Sequence, residues 1–459
     1  MHGMKSRWAL AALLASTMAW SAPAAAQEKL TIWWIKSFYQ AEETALRAMI
    51  RKFEKKTGVQ VELSEYTGPD SMAKSVAALD AGVPPDVAYS DVYDFQVTSK
   101  WAFEGKLEDL TDVIAPMKSA FLPNTIETTL LYNDKTKSRA YYAFPLKQNT
   151  IHVNYWVDML AEAGFKESDI PSGWRDYWSF WCDKVQPAYR KKTGTRVYAI
   201  GNPMGVDSAD SYQSFLTFID AYGVKLVDDN GKLLVDDPKV KTGLVGALRD
   251  YTDIYLKGCT PPSSTTWKDP DNNIAFHTRT TIMTHNATIS IAAKWFDDTT
   301  NETLSAEQRA KAKLSYASLI RTAGFPKKAD GSPMVYRASV KTGVIFQAAK
   351  NKKRAKEFVT FMMQDENLTP YVEGALGRWF PVTKSGAQQP FWKADPHRLA
   401  VLRQFQAGTI PFETTKNYRF TILNNENVWA RAMNRVVNEK VSPEQAVDEL
   451  IARIKAVAG

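Results

Sequence analysis

The chain lacks most of the residues and patterns that announce catalysis. It has five histidines and two cysteines among 459 residues. His277 and His285 lie eight apart across a strand-like run, which is not metal-ligand spacing. No GxSxG, HExxH, GxGxxG or GxxxxGK[ST] occurs, so the common hydrolase, zinc-protease, dinucleotide and phosphate-loop signatures are excluded. "DDNGK", 228–232, lacks the alternating ligands of a calcium loop and reads as a turn. Neither a metal nor a cofactor is expected. Cys182 and Cys259 could pair after export, or each could be a buried small hydrophobe; spacing does not decide, and we take them as unpaired.

Charge of one sign is not in large excess. The formal net charge is +8. The densest basic run, "KNKKRAKEF" at 350–358, opens an amphipathic helix carrying Phe358, Phe361 and Met362. It reads as a solvated helix face, and no nucleic-acid partner is expected. No internal repeat and no Pro/Gly/Ser-rich linker appears. No apolar run has the length of about 20 residues that spans a bilayer. The run from Trp8 to Trp20 follows Lys5 and Arg7 and leads to "APAAAQE". That is the pattern of a secretory signal peptide, residues 1–26, cut after Ala26. The expected product is exported, without a lipid anchor.

What the chain does have is alternation. "LTIWW", 30–34, reads as a strand; 40–56 follows as a helix with Leu46, Met49, Ile50 and Phe53 at helical spacing, stopped by Gly58. "VQVEL" at 59–63, a helix over 70–80 and "DVAYS" continue the pattern. Two short strands are expected around Pro145 within 141–155, and late strands at "LSYASL" and "VKTGVIFQAA". From about residue 352 the chain should be mostly helical. Alternating strands and helices predict an α/β sheet with ligand sites at the carboxyl ends of its strands. The length requires at least two domains. Without a linker, the chain must cross between them more than once, with a cleft and hinge motion between lobes.

The polar residues gather where that fold puts ligands. "AGVPPDVAYSDVYDF", 81–95, ends a strand with Ser90, Asp91, Tyr93, Asp94 and Phe95. Trp34 closes the first strand ahead of Lys36, Ser37 and Tyr39. Trp379 lies in the irregular stretch "GALGRWFPVT". Aromatic faces beside Asp, Asn and Arg make a polyol site. Core burial is an equal account of Trp34 and Trp379, and the better one for Trp174, Trp178 and Trp181, which share a helical stripe. Asp91 with Asp94 could instead be the carboxylate pair of an exported carbohydrate-active hydrolase.

Taken in order, "LTIWW…FEKKTGVQVEL", "AGVPPDVAYSD", "WAFEGKLEDLTD", "YAFPLKQNTIHVNYWVDMLAEAGF", "PSGWRDYW", "AFHTRTTIMTHNA", "AAKNKKRAKEFVTFMMQ" and "GRWFPVTKSG" resemble one family. It is the periplasmic sugar-type solute-binding proteins of ABC importers, related to maltodextrin-binding protein. The resemblance implies an α/β, two-lobed periplasmic binding protein fold of type II with three inter-lobe crossings. These should fall near Lys147–Asn149, Thr280–Thr284 and Ser339–Gly343. The lobes would be 27–146 with 284–339, and 147–283 with 340–459. The implied ligand positions are Trp34, Lys36, Ser37 and Tyr39; Ser90, Asp91 and Tyr93; Asn149; Asn286 and Thr288; Arg378 and Trp379. The implied activity is capture of a sugar, sugar alcohol or related polyol by hinge closure, without catalysis. Delivery would be to permease subunits at the inner membrane, by a periplasmic monomer.

Two departures bear on the ligand. Asn286, Ala287, Thr288 and Ile289 stand where many relatives have Gly and Trp, which weakens the case for a standard oligosaccharide. Arg337 and Ala338 stand where many have glycines. With Arg378 and Lys36, Arg337 leaves room for an anionic ligand. A receptor accessory that signals rather than transports would use the same clamp.

Overall fold

The computed structural model describes residues 28–459, so the expected leader lies outside the described residues. The strands are β1 Lys29–Ile35, β2 Gln60–Tyr66, β3 Val87–Tyr89, β4 Leu130–Asn133, β5 Ser138–Tyr141, β6 Phe144–Asn149, β7 His152–Trp156, β8 Tyr198–Gly201, β9 Thr281–Asn286, β10 Ile320–Ala323, β11 Tyr336–Arg337, β12 Ser339–Ile345, β13 Phe380–Pro381 and β14 Thr409–Ile410. One sheet has the order β13-β6-β12-β3-β1-β2; a second has β10-β7-β9-β8. Strands β2, β1 and β3 are parallel, while β12 runs antiparallel to both β3 and β6.

The opening β–α–β forms for the reasons its pattern suggests. The helix Gln40–Thr57 buries Leu46, Met49, Ile50 and Phe53 against the first sheet's core, and Gly58 ends it with φ 74°. That left-handed backbone favours glycine. Gly343 has a different reason. A Cβ there would lie 2.2 Å from the Phe144 ring on the neighbouring strand. Gly343→Ala should therefore cost about 1–3 kcal/mol through overpacking. Urea unfolding measures it, and an unchanged midpoint would mean that the Phe144 ring moves aside.

Two hydrophobic cores define two lobes, and they divide the chain differently from the expected boundaries. The first core draws on 30–146 and 340–402 with Ile289; the second draws on 151–336 and 412–458 with Phe95. The return segments are thus exchanged relative to the sequence reading. Segment 284–339 belongs with the second lobe, because β10 pairs with β7 and Ile291 and Trp295 pack in that core. Segment 340–402 belongs with the first, because β12 is inserted between β6 and β3. β12 is buried along its whole length, so its sequence carries no alternation and does not show which sheet it enters.

The chain passes between lobes at Thr150–Ile151, at Ala338 and over 407–411. Thr280–Thr284 is no passage: Thr281 to Thr284 are part of β9 itself, in the interior of the second sheet. The second and third passages run side by side, β11 parallel to β14, with Ala338 N donating to Ile410 O at 3.0 Å.

Three local expectations are also corrected. Pro145 lies within β6 rather than between strands. It faces Thr342 where the β12 register shifts, a place that tolerates a missing N–H. "LSYASL" is mostly a wide helical turn, Ser315–Leu319, and the strand begins at Ile320. Cys182 and Cys259 form a disulfide, with Cα atoms 5.3 Å apart. Trp174, Trp178 and Trp181 are buried in the second core. Among the described residues no helix is long and apolar enough to cross a membrane.

Candidate functional site between the lobes

Parallel strands deliver their carboxyl ends to one edge of the sheet. At that edge β1 leads into the loop 36–39 and β3 leads into Ser90 and Asp91. The strands β6 and β12 add two side chains each to one face. Asn149 is paired with Ser339 and Lys147 with Lys341. Two lysines directly opposite one another repel. Both are nearly inaccessible, at 1% and 2%. They are tolerated because each has a carboxylate. Lys147 Nζ lies 2.6 Å from Glu42 Oε1 and 3.9 Å from Asp91 Oδ1; Lys341 Nζ lies 3.2 Å from Asp94 Oδ1. Glu42 stands in the first turn of its helix, where the helix dipole favours a carboxylate.

A sharp turn brings the last cation. Leu376 and Gly377 are both left-handed, with φ 58° and 90°. They redirect the chain after the helix Asp365–Gly374 toward Arg378 and Trp379. Arg378 Nη1 lies 3.4 Å from Asp91 Oδ2. Its guanidinium is 4.3 Å from the Trp379 ring centroid, and Lys147 Nζ is 4.8 Å from it. Trp379 Nε1 is buried and has no protein partner.

The second lobe supplies the facing wall. The Tyr39 hydroxyl donates to Ser290 O at 3.2 Å across the cleft. Asn149 Nδ2 donates to Ala287 O and, at 3.4 Å, to Gln213 Oε1, while Asn149 Oδ1 has no partner. Asn286 accepts from Asn272 at 3.0 Å and donates to Thr288 O at 2.8 Å and Ser290 Oγ at 2.9 Å. Thr288 Oγ1 accepts from Ser290 N.

The carboxyl groups differ in state. Burial works against ionised Asp91, but Lys147, Arg378, Lys341 and the Tyr89 hydroxyl outweigh it and hold its carboxyl below the usual range. Burial pushes Asp94 up, with Lys341 and the Ser339 hydroxyl opposing. Asp210, in the first turn of the helix Ala209–Ala221, is raised well above the ordinary value by burial and by Asp269; Arg378 and Lys341 of the other lobe oppose this.

Seven of the expected positions therefore meet at the cleft: Tyr39, Asp91, Asn149, Asn286, Thr288, Arg378 and Trp379. The others lie elsewhere. Lys36 is exposed and, with Ser37, edges an open basin beside Arg47 and Arg51 that Tyr39 also lines. Ser90 is wholly buried and accepts from Ser71 Oγ. Tyr93 bonds to Ser75 and packs on Trp101 in the first core. Trp34 is wholly buried, its Nε1 donating to the Tyr371 hydroxyl at 3.0 Å. Arg337 is buried against Asp220 and Glu413. Sequence reasoning missed Glu42, Lys147, Lys341 and Asp210 at the site. The signal available was a lysine inside the buried runs "FPLKQN" and "SVKTGVI", since lysine is almost never fully buried without a partner.

The architecture has known counterparts. No curated protein matches the chain. The solved structure of an ABC transporter solute-binding protein from Thermotoga lettingae, bound with α-D-tagatose, superposes with TM-score 0.73 at 20% identity, covering 94% of this chain and 100% of that one. The GacH receptor of Streptomyces glaucescens, solved unliganded and with acarbose, gives 0.71 at 19% identity, covering 94% and 98%. A maltose-bound protein of T. maritima gives 0.70 at 17% identity, covering 93% and 99%. The family model for bacterial extracellular solute-binding proteins matches residues 48–400. The chain is a member of that family, the bacterial extracellular solute-binding proteins.

Proposed function

We propose that this protein captures a sugar or sugar alcohol between its lobes and delivers it unchanged to an ABC importer. The observation that carries the reading is the inter-lobe cluster itself. Arg378 links an aromatic ring, Trp379, to an acceptor, Asp91, and Asn149 of one lobe bonds the Ala287 carbonyl of the other. That is the chemistry of a polyol site. Similarity to sugar-bound solute-binding proteins supports it. The ligand-binding set is Tyr39, Asp91, Asn149, Asn286, Thr288, Arg378 and Trp379, working in a periplasmic monomer exported by residues 1–26. Closure follows from the ligand's higher affinity for the closed state.

The pairing of charges favours an uncharged ligand. Lys147, Lys341 and Arg378 each already face a carboxyl group of Glu42, Asp94 or Asp91. An anion would have to displace a carboxylate from each cation it used. Arg337 is committed to its own ion pairs and Lys36 lies on the surface.

One observation favours the hydrolase reading. Asp91 is held low and Asp94 pushed up, the split expected of a base and an acid. Mass spectrometry of the ligand released from purified protein on mild unfolding distinguishes the two, with tryptophan fluorescence on adding it back. A sugar or polyol that rebinds and is recovered unchanged supports capture. A hydrolysed product overturns it. Asp91→Asn should weaken binding about 10–100-fold through loss of a charged acceptor.

A further inference from the structure

We propose that Lys147 is a positioning residue of the ligand site: its buried ammonium group holds the Asp91 carboxylate and the Trp379 ring in place for a ligand. The inference rests on reading the cleft as a sugar site.

Lys147 is 1% exposed and its ammonium group is already committed to partners inside the first lobe. Its ammonium group donates to Glu42 Oε1 at 2.6 Å and to the Tyr371 hydroxyl at 3.2 Å. Three rings surround it, with centroids at 4.8 Å for Tyr371, 4.8 Å for Trp379 and 5.2 Å for Tyr89. A cation enclosed by ring faces attracts each of them, so it fixes the Trp379 ring as well as its own position. Asp91 lies 3.9 Å away and is also bonded by the Tyr89 hydroxyl.

Arg378 is the other cation on Asp91, and it is placed differently. Its side chain is 17% exposed and its contact is 3.4 Å, so it can turn toward a bound sugar. Lys147 is held by Glu42 and Tyr371. It is the counter-charge that stays when Arg378 moves. The other titratable groups around Asp91 are Lys341, which also favours its ionised form, Asp94 and Glu42, which oppose it, the Tyr371 hydroxyl, and Asp210 of the second lobe, whose carboxyl is raised by burial and by Asp269. Burial opposes ionised Asp91 too. Without Lys147 the balance shifts toward the protonated carboxyl, which has lost its full acceptor capacity.

The test is the pH profile of binding, using tagatose, maltose and laminaribiose. Wild-type affinity for whichever of these it holds should stay level between about pH 7 and about pH 5, because Asp91 stays ionised throughout. Lys147→Met should bind about tenfold more weakly at the upper pH and lose about another tenfold at the lower. Glu42→Gln with Lys147→Met removes both members of the buried pair and should keep part of the slope, smaller because Glu42 no longer opposes the Asp91 charge, which separates the effect from misfolding. On the wild-type chain, the NMR shift of the Asp91 carboxyl carbon should change only below the pH range of an ordinary aspartate. A change within or above that range, or a level profile in a folded Lys147 variant, overturns the inference. If Asp91→Asn weakens binding while Lys147→Met leaves the profile level, the sugar reading stands and this inference falls. If the wild-type chain holds none of the three sugars, the Asp91 carboxyl shift, which needs no ligand, still decides this inference, and the sugar reading is decided by the ligand the purified protein releases.

Discussion

Arg337→Met is expected to destabilise the protein by about 3–5 kcal/mol, the cost of breaking a buried ion pair from one side. Arg337 Nε and Nη2 each donate to Asp220 at 2.8 Å, and Nη1 donates to Glu413 at 2.6 Å. The three side chains are 6–9% exposed. Removing the guanidinium leaves two carboxylates in the interior. The location adds to the effect. Arg337 precedes the passage at Ala338, Glu413 follows β14, and Asp220 belongs to the second lobe's helix Ala209–Ala221. The triad therefore anchors two neighbouring passages to one lobe. Urea unfolding gives the loss. Adding Asp220→Asn should recover part of it, by removing one unpaired charge.

The same group predicts a pH dependence. Burial raises Asp220 from 3.8 to about 6, with Arg337 opposing and Glu413 adding to the shift. The folded chain then binds more protons than the unfolded chain between those two values. By linkage its stability falls as pH rises through that window, and the penalty is complete above about pH 6. This is the opposite of the usual salt-bridged aspartate. Asp220→Asn should remove this part of the slope from unfolding curves taken across the window. An unchanged slope would show that Arg337 offsets the burial of Asp220 completely.

Replacing both cysteines, Cys182→Ser with Cys259→Ser, is expected to cost about 2–4 kcal/mol. The bridge joins residues 77 apart, so its loss frees a long loop in the unfolded chain. It ties the helical segment 180–185 to the end of the helix Pro238–Leu256. Beside it Gln186 Nε2 donates to Gly258 O at 3.1 Å and Gln186 Oε1 accepts from Ala199 N at 2.6 Å. Those bonds remain in the variant, so the fold should survive at lower stability. Reductant should lower the unfolding midpoint of the wild type to that of the variant. Thiol titration of the denatured, unreduced protein should find no free thiol; two per chain would show that the pair does not form.

Much of the fold is legible because it is local. The helix Gln40–Thr57 shows its apolar stripe, and β1 to β3 show their β-branched and aromatic runs between turn residues. The rule that ligands meet the carboxyl ends of parallel strands then points to Tyr39 and Asp91 without any coordinates. Ser90, Tyr93 and Trp34 occupy the same strand ends yet face inward. A strand-end position specifies a place along the chain, while the facing partner decides whether the side chain points to the cleft or the core.

By itself the sequence determined the class of the protein: an α/β chain with parallel strand ends, aromatic and amide side chains near them, and none of the sought catalytic signatures. Tertiary structure alone decided which segments share a lobe, because β12 is buried on both faces and its partners β6 and β3 are remote in sequence. It also decided the charge pairing. Arg337 finds Asp220 and Glu413 at separations of 117 and 76 residues, and Lys147 finds Glu42 at 105. Periodicity reports whether a residue is buried. Which charge it is buried against depends on chain segments brought together only by folding, and at this cleft that pairing separates Arg378, which can reach a ligand, from Lys147, which is held inside the first lobe.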